Sequence, residues 1–183
     1  MNKIKNDIQE EAGVALDKVT RGTAAMSVGT GKTLVGLRHM ERRLKKAPDA
    51  QFLVCAPKKS IFQSWIDDAN KFNLAHLLDR ITFTTYLSLT KQSQDKDTVY
   101  LDEAHSLLPS HNAWLGSYKG IIIGLTGTPP KFLNSLRGKV FNRYCPVVYT
   151  YLTDTAIADK ILNNYSIVVH KLQLSKATIY RDW

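Results

Sequence analysis

The sequence lacks the features that mark membrane, secreted and metal-binding proteins. It has no apolar run near the roughly 18 residues that a membrane span requires, and its amino terminus, MNKIKN, has no apolar stretch of the kind found in a signal peptide. Cys55 and Cys145 stand far apart without metal-ligand spacing and are expected to be reduced, buried thiols. These absences predict a cytoplasmic protein, or one of the host cytoplasm if its source is viral, without a membrane partner.

Acidic residues are also scarce, and they are missing from one long stretch. The chain carries 25 Lys and Arg against 16 Asp and Glu, a net charge of +9, and no acid occurs between Ala104 and Thr153. Basic residues do occur there: Lys119, Lys131, Arg137, Lys139 and Arg143. This balance favours nucleic acid or another polyanion as a partner, although basic charge can also serve solubility alone. A second cluster within residues 38–46 is typical of a solvated helix face.

The 183 residues, of which 44% are hydrophobic, are enough for one domain with a sizeable core. Short apolar runs predict strands at 23–26, 52–56, 81–85, 98–101, 121–125, 147–151 and 167–174. Helical periodicity appears between them, at 4–19, 32–46 and 60–72 and more weakly at 86–91 and 106–115. This alternation predicts an α/β domain with a mainly parallel sheet and helices on both faces. Ligands in such folds bind at the carboxyl ends of the strands, so we expect the site there.

The first predicted strand runs into a glycine-rich turn, MSVGTGKT (residues 26–33), and then into a helix. Glycines allow consecutive N–H groups to curl around phosphates, and the helix amino terminus adds its dipole. We therefore predict a nucleotide site formed by Val28, Gly29, Thr30, Gly31, Lys32 and Thr33. Lys32 is expected to reach the β- and γ-phosphates of ATP and Thr33 to ligate Mg²⁺. The strict pattern has a glycine where Met26 stands, and the alternative is a surface turn with an exposed lysine.

Another predicted strand delivers paired acids, Asp102 and Glu103, followed by His105. Two carboxylates at a strand end can divide their roles, so we predict that Asp102 holds Mg²⁺ and that Glu103 orients and deprotonates the attacking water. Lys32, Asp102, Glu103 and His105 are the predicted catalytic residues. The alternative is a helix amino-terminal turn that favours acids, and a histidine in this position can simply be a satisfied polar residue.

The strand at 121–125 ends in TGTPP (residues 126–130). Its hydroxyl groups are expected to lie beside the two acids, in the loop of a neighbouring strand. Taken alone, this segment is better explained as a proline-terminated turn.

In order and context, these segments resemble the first RecA-like domain of superfamily 2 helicases and nucleic-acid translocases, of the DEAH-box sequence type. MSVGTGKT resembles motif I, VYLDEAH (99–105) motif II and LTGTPP (125–130) motif III. The segments 52–72 and 81–86 are similar to motif Ia and to a backbone-contacting motif of Swi/Snf-type, restriction-type and phage recombination helicases. DEAD-box RNA helicases are less similar. The resemblance implies a RecA-like P-loop NTPase domain.

The same resemblance implies roles for further residues. Gln9 matches the glutamine that reads the adenine edge, although the aromatic residue and the arginine that often precede it are absent. Thr126, Gly127 and Thr128 would couple hydrolysis to nucleic-acid movement. The implied contacts to the nucleic-acid backbone are Pro57, Lys58, Thr84 and Thr85, and Lys59 joins them as a basic group at a strand end. Lys58 and Lys59 can equally be solvated loop charges.

The segment 149–162 resembles the stretch that closes the first domain in such enzymes. We therefore expect a RecA-like domain at 1–165, with 166–183 as a final strand and the start of a linker toward a second RecA-like domain. Motifs IV to VI, with their arginines, do not occur here, so that domain is expected in cis or in trans. The expected function is the ATP-binding half of an ATP- and Mg²⁺-dependent motor on nucleic acid, with DNA favoured over RNA. The alternatives are an ATP-operated switch for a protein partner and, more remotely, a P-loop kinase.

Overall fold

The computed structural model describes residues 4–163. Its strands are Arg21–Met26 (β1), Phe52–Ala56 (β2), Ile81–Thr85 (β3), Thr98–Asp102 (β4), Ile121–Thr126 (β5) and Val147–Tyr151 (β6). Its α-helices are Lys5–Asp17 (α1), Lys32–Lys46 (α2), Ser60–Lys71 (α3), Tyr86–Leu89 (α4), Asn112–Ser117 (α5), Leu136–Tyr144 (α6) and Thr153–Ala158 (α7). Short 3-10 helices cover Ala75–Arg80, Ala104–Ser106 and Pro109–His111.

The six strands form one sheet in the order β3-β2-β4-β5-β1-β6. Every pairing in it is parallel, so all the carboxyl ends lie along the same edge. β5 lies between β4 and β1, and its register places Thr126 opposite Ala25 while Leu125 lies opposite Asp102. The phosphate loop, the paired acids and the TGT segment therefore emerge side by side, as the predicted α/β fold requires.

Helices cover both faces of the sheet and bury two separate hydrophobic cores. One core packs the apolar sides of α1, α2 and α3 against the sheet, and Ile8, Leu37 and Trp65 are among its fully buried side chains. The other core packs α4, α5 and α6 against the opposite face, with Tyr118 and Phe141 nearly inaccessible. β2 and β4 are central strands buried on both faces, which explains why neither shows the alternation of apolar and polar residues that is typical of a half-exposed strand.

The helix predicted at 106–115 was wrong in extent. Two 3-10 helices occupy 104–106 and 109–111, and only Asn112–Ser117 is α-helical. Pro109 has no N–H and cannot continue a helix begun before it. The strand predicted at 167–174 lies outside the described residues. Within those residues, none of the helices combines the length and the apolar character needed to cross a bilayer.

Two helices were not predicted from periodicity. α6 contains Gly138 within its first turns, a residue that weakens a helical pattern in the sequence. Ser135 nevertheless caps this helix, because its side chain accepts a hydrogen bond from the Gly138 N–H at 3.0 Å. α7 is a six-residue helix, too short to show a clear period.

Candidate active site

The phosphate loop has the backbone shape that its glycines allow. Gly29 and Gly31 have φ values of +84° and +91°, a region that side chains with a Cβ rarely adopt. The Ser27 carbonyl accepts hydrogen bonds from the Thr30 N–H at 3.3 Å and the Thr30 hydroxyl at 2.6 Å, which closes the loop. Gly31 is the N-cap of α2. The first N–H groups of α2 have no partners within that helix and form a site suited to an anion.

The departure from the strict loop pattern has a structural reason. Met26 is still part of β1, where it pairs with Tyr151 of β6, so the chain does not yet need a glycine at this position. Ser27 begins the loop and is held by β6 and by the residue that opens α7. Its N–H donates to the Tyr151 carbonyl at 2.9 Å, and its hydroxyl lies 2.8 Å from that of Thr153. The loop is therefore anchored at its start by neighbouring elements.

Most of the predicted nucleotide residues meet around one cavity of about 450 Å³. Motifs I and II contribute Val28, Gly29, Gly31, Lys32, Thr33, Asp102 and Glu103. Thr30 is fully buried beneath the loop and serves its closure. Burial lowers the pKa of Lys32, an effect opposed by the nearby carboxylates of Glu103 and Asp102. The nearby acids favour the charged form of the lysine, and a partly desolvated cation interacts with a phosphate more strongly than a fully hydrated one does.

Asp102 is held in place by hydrogen bonds from three other groups. The Trp65 indole N–H donates to its Oδ2 at 2.8 Å, and the Glu103 N–H donates to its Oδ1 at 2.9 Å. The hydroxyl of Tyr86 also donates to the Asp102 carbonyl at 3.0 Å. Burial raises the pKa of Asp102, whereas the bond from Trp65 lowers it. Each carboxylate oxygen keeps further lone-pair capacity for a metal-bound water.

Trp65 was interpreted from the sequence as core packing, and the structure shows a second role. It is fully buried as expected, but its N–H faces Asp102. The general rule that a buried indole N–H needs a partner was the available signal. Helical spacing alone could not identify that partner, because Asp102 lies 37 residues further along the chain.

Trp65→Phe keeps an aromatic ring in the core and removes the donor to Asp102. Because that bond stabilises the carboxylate, the substitution should raise the pKa of Asp102 further, and binding of Mg²⁺-ATP should begin to fail at a higher pH. We expect affinity near neutral pH to fall roughly tenfold, the usual value of a hydrogen bond to a charged group. Titration calorimetry across a pH series measures both effects.

Trp114→Phe is the matched control, since its indole N–H donates at 2.9 Å to the Gln92 carbonyl on the opposite face of the sheet. An equal loss of affinity in both variants would mean that Trp65 acts only through the core.

Glu103 is joined to the TGT segment through His105. The Nδ1 atom of His105 lies 2.8 Å from the Thr126 hydroxyl, 3.2 Å from that of Thr128 and 3.4 Å from Glu103 Oε2. Glu103 itself has a φ of +50°, a conformation that costs free energy in a residue with a side chain and that often occurs at functional sites. Gly127 lies close to Lys32: a Cβ built on this glycine would be 3.5 Å from the Lys32 Nζ atom. The predicted coupling residues Thr126 and Thr128 thus contact His105, which in turn lies beside the predicted water-activating acid.

Gln9 lies against the phosphate loop. Its amide nitrogen donates to the Thr30 carbonyl at 2.9 Å, and its amide oxygen accepts from Arg38 at 3.4 Å. A second cavity, of about 320 Å³, is lined by Gln9, Arg38, Leu34 and Phe72, and shares Gly31 with the first. The Gln9 amide retains one N–H and one lone pair, the pair of groups that matches the N7 and N6 edge of adenine. Phe72, whose side chain is 39% exposed, supplies an aromatic wall that the sequence pattern did not indicate.

The predicted nucleic-acid contacts form a separate group at the ends of β2 and β3. These strands are neighbours, and their register pairs Ala56 with Thr85, so residues 57–59 lie beside Thr84 and Thr85. Lys58 and Lys59 are exposed and Pro57 is half-buried. Thr84 is only 5% exposed, so its side chain offers little surface to a phosphate in this conformation, whereas Thr85 is partly accessible.

This fold and this site define a RecA-like P-loop NTPase domain of the superfamily 2 type. The family model described as "Type III restriction enzyme, res subunit" matches residues 1–131, and the chain belongs to that family. No protein of curated function matches it in sequence.

Solved structures of helicases and translocases share the fold at low identity. A nuclease-deletion mutant of the Type ISP restriction-modification enzyme LlaGI, in complex with a DNA substrate mimic, is 18% identical over 88% of this chain and 20% of its own, with a TM-score of 0.63. The UvsW helicase from bacteriophage T4 is 13% identical over 80% of this chain and 58% of its own, with a TM-score of 0.61. The Sulfolobus solfataricus SWI2/SNF2 ATPase core in complex with dsDNA is 18% identical over 78% of this chain and 34% of its own, with a TM-score of 0.52. The chain thus spans less than two thirds of each of these proteins.

Proposed function

We propose that the chain is the ATP-binding half of an ATP-dependent nucleic-acid helicase or translocase. The observation that carries this proposal is the contact between Glu103 and the TGT segment through His105. A kinase needs no acid to activate water, and a simple ATP switch needs no path of contacts from that acid through His105 to a neighbouring strand loop. A motor requires both, because hydrolysis has to change the position of groups that hold the nucleic acid.

The chemistry assigned to the site uses Mg²⁺-ATP. Mg²⁺ prefers oxygen ligands and keeps several of its waters, and the Thr33 hydroxyl and the Asp102 carboxylate supply oxygens on one cavity wall. Bound there, the ion would neutralise charge on the phosphates. Lys32 orients the β- and γ-phosphates, and Glu103 accepts the proton of the attacking water. Gln9 and Phe72 give the site its preference for adenine.

The proposed partner is nucleic acid, with DNA favoured. The net charge of +9 and the two lysines at the end of β2, Lys58 and Lys59, support a polyanion. The enzyme LlaGI and the SWI2/SNF2 core named above were both solved with DNA or a DNA mimic. We further propose a cytoplasmic protein whose residues 1–165 form the domain and whose residues 166–183 lead toward a second RecA-like domain, acting in cis or in trans. That domain would supply the arginines that complete the ATP site.

ATP turnover measured with and without single-stranded DNA, duplex DNA and RNA tests the proposal. The chain alone should hydrolyse ATP very slowly. The same chain joined to a second RecA-like domain should be faster by roughly 10³- to 10⁵-fold, the effect of a supplied arginine in other P-loop enzymes, and should depend on nucleic acid. ATP turnover that is unchanged by every nucleic acid but is stimulated by a protein partner would instead show that the chain is an ATP-operated switch.

Binding to nucleic acid should be independent of sequence and should weaken with salt. On duplex DNA the slope of log affinity against log salt is near 0.9 for each phosphate neutralised, so replacing Lys58 and Lys59 by Ala should flatten it by about 1.8. Fluorescence anisotropy at several salt concentrations measures this slope.

The control replaces Lys45 and Lys46 by Ala, since these exposed residues at the far end of α2 carry the same charge. Equal slopes for the two double variants would place the contact surface elsewhere, most simply along the acid-free stretch 104–153.

A further inference from the structure

The turn that follows the TGTPP segment exposes large apolar side chains. Phe132 is 79% exposed, Leu133 47% and Leu136 73%. Among the aromatic residues of the described part of the chain, only Phe132 and Phe72 are exposed, and Phe72 lines the cavity beside Gln9. Phe132 has no role in the ATP site described above.

This turn has an ordered backbone. The Phe132 carbonyl accepts two hydrogen bonds from Ser135, one from its hydroxyl at 2.7 Å and one from its N–H at 3.1 Å. The Ser135 hydroxyl in turn caps α6, and Gly138 packs so closely against the Phe132 carbonyl that a Cβ could not be accommodated without movement. Apolar side chains that an ordered backbone holds exposed to water indicate a surface that binds a partner.

The charge around the turn indicates what that partner is. Lys131, Arg137 and Lys139 flank the exposed apolar residues, all three are exposed, and no acid occurs from Ala104 to Thr153. The first acid beyond, Asp154, lies with Lys131 on the wall of an adjoining cavity of about 350 Å³. Flat apolar faces and negative charge occur together in a single nucleic-acid strand, whose unpaired bases stack on aromatic rings while its phosphates pair with cations.

We propose that the segment 131–139, which comprises this turn and the start of α6, is a second nucleic-acid site, in which Phe132 stacks on an unpaired base and Lys131, Arg137 and Lys139 neutralise the neighbouring phosphates. This inference rests on the proposed function and names a surface separate from the ends of β2 and β3. The turn continues directly from the TGT segment, which contacts His105 and through it Glu103. A strand held at Phe132 is thereby connected to the acid that activates water.

The test compares two probes of equal length and charge with the full chain. One is a fluorescein-labelled single strand of thymidines, and the other is the same sugar-phosphate backbone without bases. Phe132→Leu keeps the apolar volume and removes the aromatic face, so it should weaken binding of the thymidine strand by about 5- to 150-fold, the range for stacking one base. The same substitution should leave the affinity for the abasic strand unchanged. Phe132→Trp should retain affinity for the thymidine strand, and its indole fluorescence should be quenched on binding.

Val14→Ala is the control for an exposed apolar residue elsewhere, on α1, and should change neither affinity. Thymidine-strand binding that is unchanged in Phe132→Leu overturns this inference while leaving the proposed function intact. An equal loss on both probes also overturns it, because the turn would then hold the backbone and not a base. A wild-type chain that binds neither probe also overturns this inference, and the proposed function is then decided by the duplex-binding and ATP-turnover measurements described above.

Discussion

Glu103→Gln should stop ATP hydrolysis while leaving ATP affinity nearly unchanged. The amide has almost the same shape as the carboxylate but cannot take a proton from water, so the step that it blocks is the chemical one. A general base contributes roughly 10²- to 10⁴-fold to a rate, and turnover should fall by about that factor. The effect is best measured on the chain joined to a second RecA-like domain, by steady-state phosphate release at saturating ATP and single-stranded DNA.

The structure sharpens the expectation, because within residues 4–163 no hydrogen bond or ion pair joins the Glu103 side chain to a phosphate-binding group, although its charge acts on Lys32 through space. Its backbone N–H still donates to Asp102, and its side chain faces His105. ATP affinity measured by calorimetry should therefore match that of the unaltered chain. Glu41→Gln, a substitution of the same kind on α2 away from the cavity, should leave turnover intact. Normal turnover by the Glu103 variant would require that another group activates the water.

Lys32→Ala should weaken binding of Mg²⁺-ATP by about 10- to 100-fold, as expected when a charged hydrogen-bond donor to phosphate is lost. The lysine supplies charge to the cavity and packs little apolar surface. Because burial lowers the pKa of Lys32, the folded protein disfavours its charged form, and removing the amine should not lower the melting temperature. Calorimetry of ATP binding and thermal unfolding of the chain without nucleotide measure the two effects.

Lys45→Ala removes the same charge from the exposed end of α2 and should leave ATP affinity unchanged. If Lys32→Ala bound Mg²⁺-ATP as tightly as the unaltered chain, the loop 26–33 would not be the phosphate site. If the variant instead lost its cooperative unfolding transition, Lys32 would be a structural residue and the affinity measurement would have to be repeated with Lys32→Met, which keeps the apolar stem.

The strands and their order of appearance could be predicted because local patterns determine them. Residues 52–56 and 98–102 are buried on both faces, as expected for strands in the middle of a covered parallel sheet, and each strand is followed by polar residues at the predicted site edge. The short helices were predicted poorly because their local sequence patterns are weak. Pro109 interrupts the helix predicted at 106–115, and Gly138 weakens the helical pattern of α6, which was not predicted. Packing against the sheet decides where those segments become helical.

The candidate site residues were predictable as types, because phosphate binding, Mg²⁺ binding and water activation each require a particular group after a strand. Their mutual arrangement was not, since it depends on contacts between distant parts of the chain. Trp65 and Asp102, Gln9 and Thr30, and His105 and Thr126 are hydrogen-bonded pairs that no spacing in the sequence reveals. Phe132 likewise reads as an ordinary apolar residue, and only the tertiary structure shows that it faces water. By itself, the sequence determined the parallel α/β fold and the loops that bear the site, because hydrophobic periodicity and glycine are local signals; hydrogen-bond partners and exposure were decided by the tertiary structure, because they exist only once the strands stand side by side.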